Sequence, residues 1–179
     1  MTDVRTVHGI PVRIVNTRPD IETTLVVERV SAALDLIAVY APRRYRRLHV
    51  DLSGFVVERF ACRGAFCQDT RECLVELTFA VNPAHALEEI AASIVHEATH
   101  ARVASWCGGT AQDDRHREER LCRRSELEFG RALPNGAVVV ARALNSLAME
   151  NHDVAPDIDW AEAARRVADA DHRARVAGG

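Results

Sequence analysis

Apolar residues recur along much of this chain every three or four positions, which is the spacing of a helix with one buried face. Between Pro19-Asp20 and Ala41-Pro42 the spacing predicts a packing helix whose buried residues are Val26, Val30, Ala33, Leu34 and Ile37. A longer stretch predicts a second buried helix through Leu87, Ile90, Ala91, Ile94, Val95 and Ala98. Both helices are expected to contribute to the core.

The ends of the second helix carry recognisable signals. Asn82 followed by Pro83 predicts its start, with Asn as the N-cap and Pro at the first helical position. Glu88 and Glu89 fall in the first turns, where the helix dipole favours negative charge. Gly108-Gly109 predicts the C-terminal stop.

Three strand-like segments lie between these helices: Leu48 to Leu52, Gly54 to Ala61 and Leu74 to Val81. The Gly- and Cys-containing stretch from Cys62 to Cys73 separates the last two and predicts a hairpin with a long tip. A small sheet is therefore expected before the second buried helix.

Three more helices are expected towards the C-terminus. The segment from Asp113 to Leu133 is charged but has an apolar stripe formed by Leu121, Cys122, Phe129 and Leu133. It ends at Pro134-Asn135-Gly136, and helices follow at Ala137 to Asn151 and at Trp160 to Val176, separated by Pro156. With 179 residues and 47% hydrophobic content, residues 1–179 are expected to form one α+β domain. Its small, mostly antiparallel sheet should pack on a helical bundle.

Charge gives no signal for nucleic acid or for an anionic membrane, because the formal net charge is −3. All 23 basic residues are Arg, and the absence of Lys excludes a lysine Schiff base with pyridoxal phosphate. The run from Arg43 to Arg47 contains Tyr45 and offers a phosphate-binding patch as one interpretation. A solvated helix end, with cations near the C-terminal dipole, is the favoured one.

A cytoplasmic location is expected. The segment from Met1 to Pro19 lacks the apolar stretch of a signal peptide, and no segment has 18 uninterrupted apolar residues. Five cysteines, an odd number without a CxxC pattern, suit a reducing compartment. For Cys62, Cys67 and Cys73, free thiols or one local bridge are favoured over a second metal cluster.

The second buried helix contains the sequence His96-Glu97-Ala98-Thr99-His100, which reads HExxH. Four residues of separation place both imidazoles on one helix face, where they can bind a single zinc ion. Glu97 lies about 100° around the helix from His96, so it can reach a water on the metal without being a required ligand. The alternative interpretation is a chance match that contains a hydrogen-bonded core histidine.

A catalytic zinc usually has three protein ligands, so a third donor is expected downstream. The metzincin pattern HExxHxxGxxH is excluded, because Val103 and Trp106 occupy its Gly and second His positions. The sequence instead resembles the glutamate-zincin (gluzincin) metallopeptidases, in which a Glu on the following helix completes the site. Eighteen residues separate His100 from Glu119, which is similar to the HExxH-x18-E spacing of the aminopeptidase branch.

The third ligand stays open among several residues at this point. Glu119 is preferred, Glu126 and Glu118 follow, and His116 or Asp113 remain as further candidates. The apolar residues of this segment centre on a helix face that lies nearer Glu118 than Glu119. Glu119 and Glu126 lie along one side of the helix, so that one can bind zinc while the other supports it.

The sequence also departs from the family. Many members carry an Asp four residues after the ligand Glu, and this chain has Arg123 there. Tyr45, His116 and His152 are candidates for the group that stabilises the oxyanion, and each is more typical of a surface or packing residue.

The resemblance implies a small soluble zinc metallopeptidase with one zinc ion, held by His96, His100 and Glu119. Glu97 would act as general base, and a peptide or protein would be the substrate. The strand from Leu74 to Val81 is expected to contribute to the sheet whose edge holds the substrate. The alternatives are a catalytically silent zinc-binding regulatory or interaction domain, and a hydrolase of non-peptide amides or esters.

Overall fold

A five-stranded mixed sheet with helices packed on it forms the observed structure, a computed structural model. It describes residues 2–107, 115–154 and 159–177, without the side chains of Cys107, His152 and Ala177. The strands are β1 (Thr2–Val7), β2 (Ile10–Val15), β3 (Gly54–Glu58), β4 (Gly64–Cys67) and β5 (Glu72–Glu76). The described helices are α1 (Thr23–Tyr40), α2 (Pro42–Asp51), α3 (Leu77–Val81), α4 (Leu87–Cys107), α5 (Arg115–Ala132), α6 (Ala137–Leu147), α7 (Asn151–Val154) and α8 (Trp160–Ala177).

The sheet has the order β1-β2-β3-β5-β4. The β1–β2 and β4–β5 pairs are antiparallel, whereas β3 runs parallel to both β2 and β5. The predicted α+β class and mostly antiparallel sheet are confirmed. The hairpin predicted across Cys62 to Cys73 does not join the two predicted strands, because β3 and β5 run parallel. Its antiparallel pair is formed by β4 and β5, with β4 on the side of β5 away from β3. This arrangement makes β4 an edge strand.

The β1–β2 hairpin was not predicted from the sequence. His8 and Gly9 form its two-residue turn, with φ of 53° and 78°. Two positive φ angles are the geometry of a type I′ turn, whose twist matches that of the flanking strands. Along β2, Ile10, Val12 and Ile14 alternate inwards and are buried.

Two segments predicted as strands are helical. Leu48 to Leu52 belongs to the end of α2, because Pro42 begins a new helix there instead of ending one. Leu48 is 1% exposed and Val50 is 61% exposed, which the alternation of a strand would not produce. The second half of Leu74 to Val81 is α3, so only its first residues are in β5. The cations of Arg43 to Arg47 therefore lie in α2, not at the C-terminal end of α1.

The helix predictions are otherwise confirmed. All five predicted core residues of α1 are buried. Helix α4 begins at Leu87, later than predicted, because Asn82 ends α3 and its side chain accepts a hydrogen bond from the Ala84 N–H at 2.9 Å. Glu89 caps the start of α4 by accepting from the Ala86 N–H at 3.2 Å.

Helices α5 and α8 lie where the sequence predicts them. The helix predicted from Ala137 to Asn151 is shorter than expected, because α6 ends at Leu147 and the separate helix α7 begins at Asn151. The expected helix stop Gly108-Gly109 and the separating Pro156 lie outside the described residues. In the described part of the chain, no helix is long and apolar enough to cross a membrane.

Candidate metal centre

Helices α4 and α5 pack against each other and bring two polar stripes face to face. Residues three or four apart share one face of a helix, so each stripe follows from its spacing. Helix α4 contributes His96, Glu97 and His100, and helix α5 contributes Glu118, Glu119, Cys122 and Glu126. His96 contacts Glu126 and His100 contacts Glu118, so the two helices run antiparallel.

Three side chains converge at the centre of this seam. The Nε2 atoms of His96 and His100 lie 3.1 Å apart. One oxygen of Glu119 is 3.3 Å from the Nε2 of His96, and the other is 3.3 Å from that of His100. A tetrahedral zinc with bonds of about 2.0–2.1 Å requires donors roughly 3.3–3.4 Å apart. The donor spacing therefore fits a single zinc ion.

The opposite ring nitrogens are supported by two other carboxylates. Glu118 Oε1 lies 2.7 Å from Nδ1 of His100, and Glu126 Oε1 lies 2.6 Å from Nδ1 of His96. The first contact is a hydrogen bond, whereas the second is short but lacks hydrogen-bond alignment. A carboxylate at Nδ1 favours the tautomer that leaves Nε2 free for a metal. Glu118 and Glu126, both considered as third ligands, thus occupy supporting positions.

Cys122 offers a second donor set that the sequence reasoning missed. The donor atoms of His96, His100 and Cys122 all lie within 4.8 Å of one another. Burial raises the pKa of the Cys122 thiol to about 11, so this group is protonated in the chain without an ion. Glu119 already faces both Nε2 atoms as an anion, whereas Cys122 would have to lose its proton to bind an ion. Cys122 was assigned to the apolar stripe, although its spacing of three residues from Glu119 was a usable signal.

Burial and ion pairing oppose each other throughout the centre. Burial disfavours the charge of Glu119, but hydrogen bonds from His100 and His96 outweigh it and hold the pKa of this carboxyl well below its usual range. Burial likewise disfavours both imidazolium ions, and their carboxylate partners outweigh it, so the pKa values of His96 and His100 are raised. A bound metal ion would replace the protons that these imidazoles hold.

Glu97 lies beside His96 on helix α4 and is 6% exposed. Burial raises its pKa, and the charges of His96 and His100 only partly oppose this. Gly64 of β4 passes so close that a Cβ there would lie 2.8 Å from Glu97 Oε1 and 2.7 Å from Ser93 Oγ. Glycine at position 64 therefore allows the edge strand to run directly over the carboxylate.

A cavity of about 860 Å³ opens along this seam. Its wall includes both histidines and Glu97, and strand β4 lines it through Gly64, Ala65 and Phe66. The edge strand at the site is therefore β4. The segment from Leu74 to Val81, for which the edge position was left open, contributes to the sheet as expected through β5, the strand next to this edge.

The other sequence candidates lie elsewhere. Tyr45 is 3.0 Å from His8 through its hydroxyl, and neither Tyr45 nor His116 is among the described residues that line the cavity. Asp113 and the side chain of His152 lie outside the described residues. Cys62, Cys67 and Cys73 are free thiols, as one of the two favoured interpretations predicted.

Comparison of the chain with family models, curated proteins and solved structures gives no match. The chemistry of the centre is therefore inferred from its own donors and their geometry.

Proposed function

We propose that this protein is a zinc-dependent hydrolase, and most simply a small metallopeptidase similar to the gluzincins. The observation that supports this best is the convergence of His96, His100 and Glu119, with donor contacts of 3.1 and 3.3 Å. A buried carboxylate, Glu97, lies next to these donors in an open cavity. A ligand set of two histidines and one glutamate is typical of catalytic zinc sites, which keep one position for water.

The residues of the centre have separate roles in this proposal. His96, His100 and Glu119 would hold the ion, while Glu118 and Glu126 orient the two imidazoles. A bound zinc ion would polarise a substrate carbonyl and lower the pKa of a coordinated water to about 7. Glu97 would accept a proton from water and donate it to the leaving nitrogen. Its raised pKa brings it closer to the working pH of such a base.

The edge strand β4 is the proposed binding site for the substrate backbone. An edge strand has backbone N–H and C=O groups that can pair with an extended peptide. Since β4 runs over Glu97, a peptide added to this edge would place a backbone carbonyl beside the base. This geometry favours peptides over non-peptide amides or esters.

Metal removal and replacement of Glu97 test this function together. The as-purified protein, the chelated protein and the zinc-restored protein would be incubated with a peptide library, and cleavage followed by mass spectrometry. Cleavage should disappear on chelation and return with zinc. Glu97→Gln should keep the zinc content and lose hydrolysis, while Glu88→Gln at the start of the same helix should keep both. Full activity of Glu97→Gln would exclude Glu97 as the base.

A silent zinc-binding domain is the second candidate, and Cys122 is the observation that favours it. A thiolate added to the two histidines and Glu119 would close the coordination shell, as in structural sites. Cys122→Ala should leave zinc binding and hydrolysis unchanged if the site is catalytic. Loss of zinc from this variant, with no hydrolysis by the parent protein, would favour the structural role.

A cytoplasmic location stays a prediction. The free thiols of Cys62, Cys67, Cys73 and Cys122 are consistent with a reducing compartment.

A further inference from the structure

Two arginines lie side by side in the cavity wall, on neighbouring helices. Arg123 comes from α5 and Arg142 from α6, and Glu126 lies between them. Glu126 Oε1 accepts a hydrogen bond from Arg123 at 2.6 Å, and its Oε2 accepts one from Arg142 at 3.1 Å. Both guanidinium groups are thereby fixed in position.

These guanidinium groups retain donors without partners. The Nε atoms of Arg123 and Arg142 are buried, and neither has a hydrogen-bond partner among the residues that the structure describes. Glu89 also lies near Arg142, at 3.9 Å, which is beyond hydrogen-bond distance. A buried N–H without a partner is costly and therefore uncommon in folded proteins. The Nε atoms themselves are out of reach of a ligand, but the side chains of Arg123 and Arg142 are 26% and 25% exposed and line the cavity. The terminal N–H groups of the two guanidinium groups are therefore the donors that an acceptor in the cavity can reach.

The charge of the cavity indicates which acceptor fits. Four arginines and four glutamates are among its described lining residues: Arg63, Arg115, Arg123, Arg142, Glu97, Glu118, Glu119 and Glu126. These charges cancel, so the described lining is cationic when His96 and His100 carry protons or when a divalent ion replaces those protons, and it then favours an anion. At the arginine wall itself, one carboxylate faces two guanidinium groups and an imidazole.

We propose that Arg123 and Arg142 bind a carboxylate of the substrate, so that the enzyme acts on peptides carrying a carboxylate close to the scissile bond. This inference rests on the proposed function, and it specifies the class of peptide. A planar guanidinium fork matches a carboxylate in geometry and charge. The carboxylate belongs to the C-terminus of the peptide or to an acidic side chain.

The position of the arginines relative to the centre fits this role. A single oxygen, Oε1 of Glu126, is 2.6 Å from both Arg123 and Nδ1 of His96. Arg123 and His96 of helix α4 thus share one carboxylate oxygen, and the positive charge of Arg123 also lowers the pKa of Glu97. One extended residue spans about 3.3–3.6 Å. A carboxylate one or two residues from the scissile carbonyl would therefore reach the arginine wall.

Calorimetric binding to the zinc-loaded Glu97→Gln protein tests this inference without turnover. The probes are an N-acetylated dipeptide with a free C-terminus, its C-terminal amide, and an amide that carries a glutamate side chain. The free acid or the glutamate amide should bind at least about tenfold more tightly than the neutral amide, and the stronger of the two identifies the source of the carboxylate.

Matched variants in the same background assign the preference to the wall. Arg142→Gln should abolish the preference for a carboxylate, and Arg142→Lys should retain part of it by keeping the charge. Arg124→Gln removes an exposed charge from the same helix as Arg123 and should leave the preference unchanged. Equal binding of all three probes, or an equal loss for the preferred probe and the neutral amide in Arg142→Gln, would overturn the inference.

Hydrolysis by the wild-type protein separates this inference from the proposed function. Peptide cleavage without any preference for a carboxylate would overturn the inference and leave the function standing. Retained preference in binding, with no cleavage of any peptide, would overturn the function and support the carboxylate site.

Discussion

Replacing Glu126 by glutamine tests the network that holds the helix of His96 and His100 in place. The Glu126 side chain is 1% exposed and contacts three cationic groups, those of His96, Arg123 and Arg142, at 2.6 to 3.1 Å. Glutamine keeps the shape of the side chain but removes its charge. Two guanidinium groups and an imidazolium ion would then lie in the protein without their shared anion, which is the expensive situation for buried charges.

The size of the effect follows from the pKa. Burial alone would raise the pKa of Glu126, but His96, Arg123 and Arg142 lower it to about 2 from a usual value of 4.5. Since one pKa unit is worth about 1.4 kcal/mol, the ionised group contributes roughly 3 kcal/mol at neutral pH in the metal-free protein. The folded-state pKa is depressed, so this contribution is present above pH 4.5 and decreases as the pH falls towards 2.

Urea unfolding of chelated protein at pH 7 and pH 4 measures this contribution. Glu126→Gln should lower the free energy of unfolding by about 3 kcal/mol at pH 7, or about 6–12 °C in Tm, and by less at pH 4. The control is Glu128→Gln, which removes a 68% exposed carboxylate paired with Arg44 on the same helix and should cost at most about 1 kcal/mol. Two results would refute the reasoning: an equal loss of unfolding free energy in the two variants, or a loss in Glu126→Gln that is as large at pH 4 as at pH 7.

Three further predictions follow from particular contacts. Gly64→Ala should reduce peptide hydrolysis at least about tenfold with zinc retained, because its Cβ would displace Glu97, and Ala65→Gly on the same strand should not. Glu118→Gln should weaken zinc binding about 10- to 100-fold in a chelator competition, because it orients one imidazole, and unchanged affinity would exclude this role. Asp171→Asn should increase hydrogen exchange in α8, since Asp171 binds Arg59 at 2.8 Å; unchanged exchange would show that other contacts hold the helix.

The sequence predicted those parts of the fold that depend on local spacing. The five core residues of α1 and the helix through His96 and His100 were predicted because a buried helix face repeats every three or four residues. The segment from Leu48 to Leu52 was misassigned because its apolar residues fit both a strand and a helix end. Pro42 decided the outcome by starting α2.

The site was predictable only as far as it lies on one helix. The HExxH spacing fixes the two imidazoles one turn apart, whichever helix packs against them. The way α5 crosses α4 decides which of Glu118, Glu119 and Glu126 faces the Nε2 atoms, and this crossing has no local sequence signal. The pairing of Arg123 and Arg142 around Glu126 depends on α6 as well and could not be read from the sequence.

A crystal grown with zinc, with an anomalous difference map at the zinc absorption edge, tests the central claim most directly. We expect one peak in each chain, between the Nε2 atoms of His96 and His100 and bonded to the carboxylate of Glu119. The absence of a peak there, or an ion bound elsewhere while the two imidazoles keep their protons, would contradict the proposed centre.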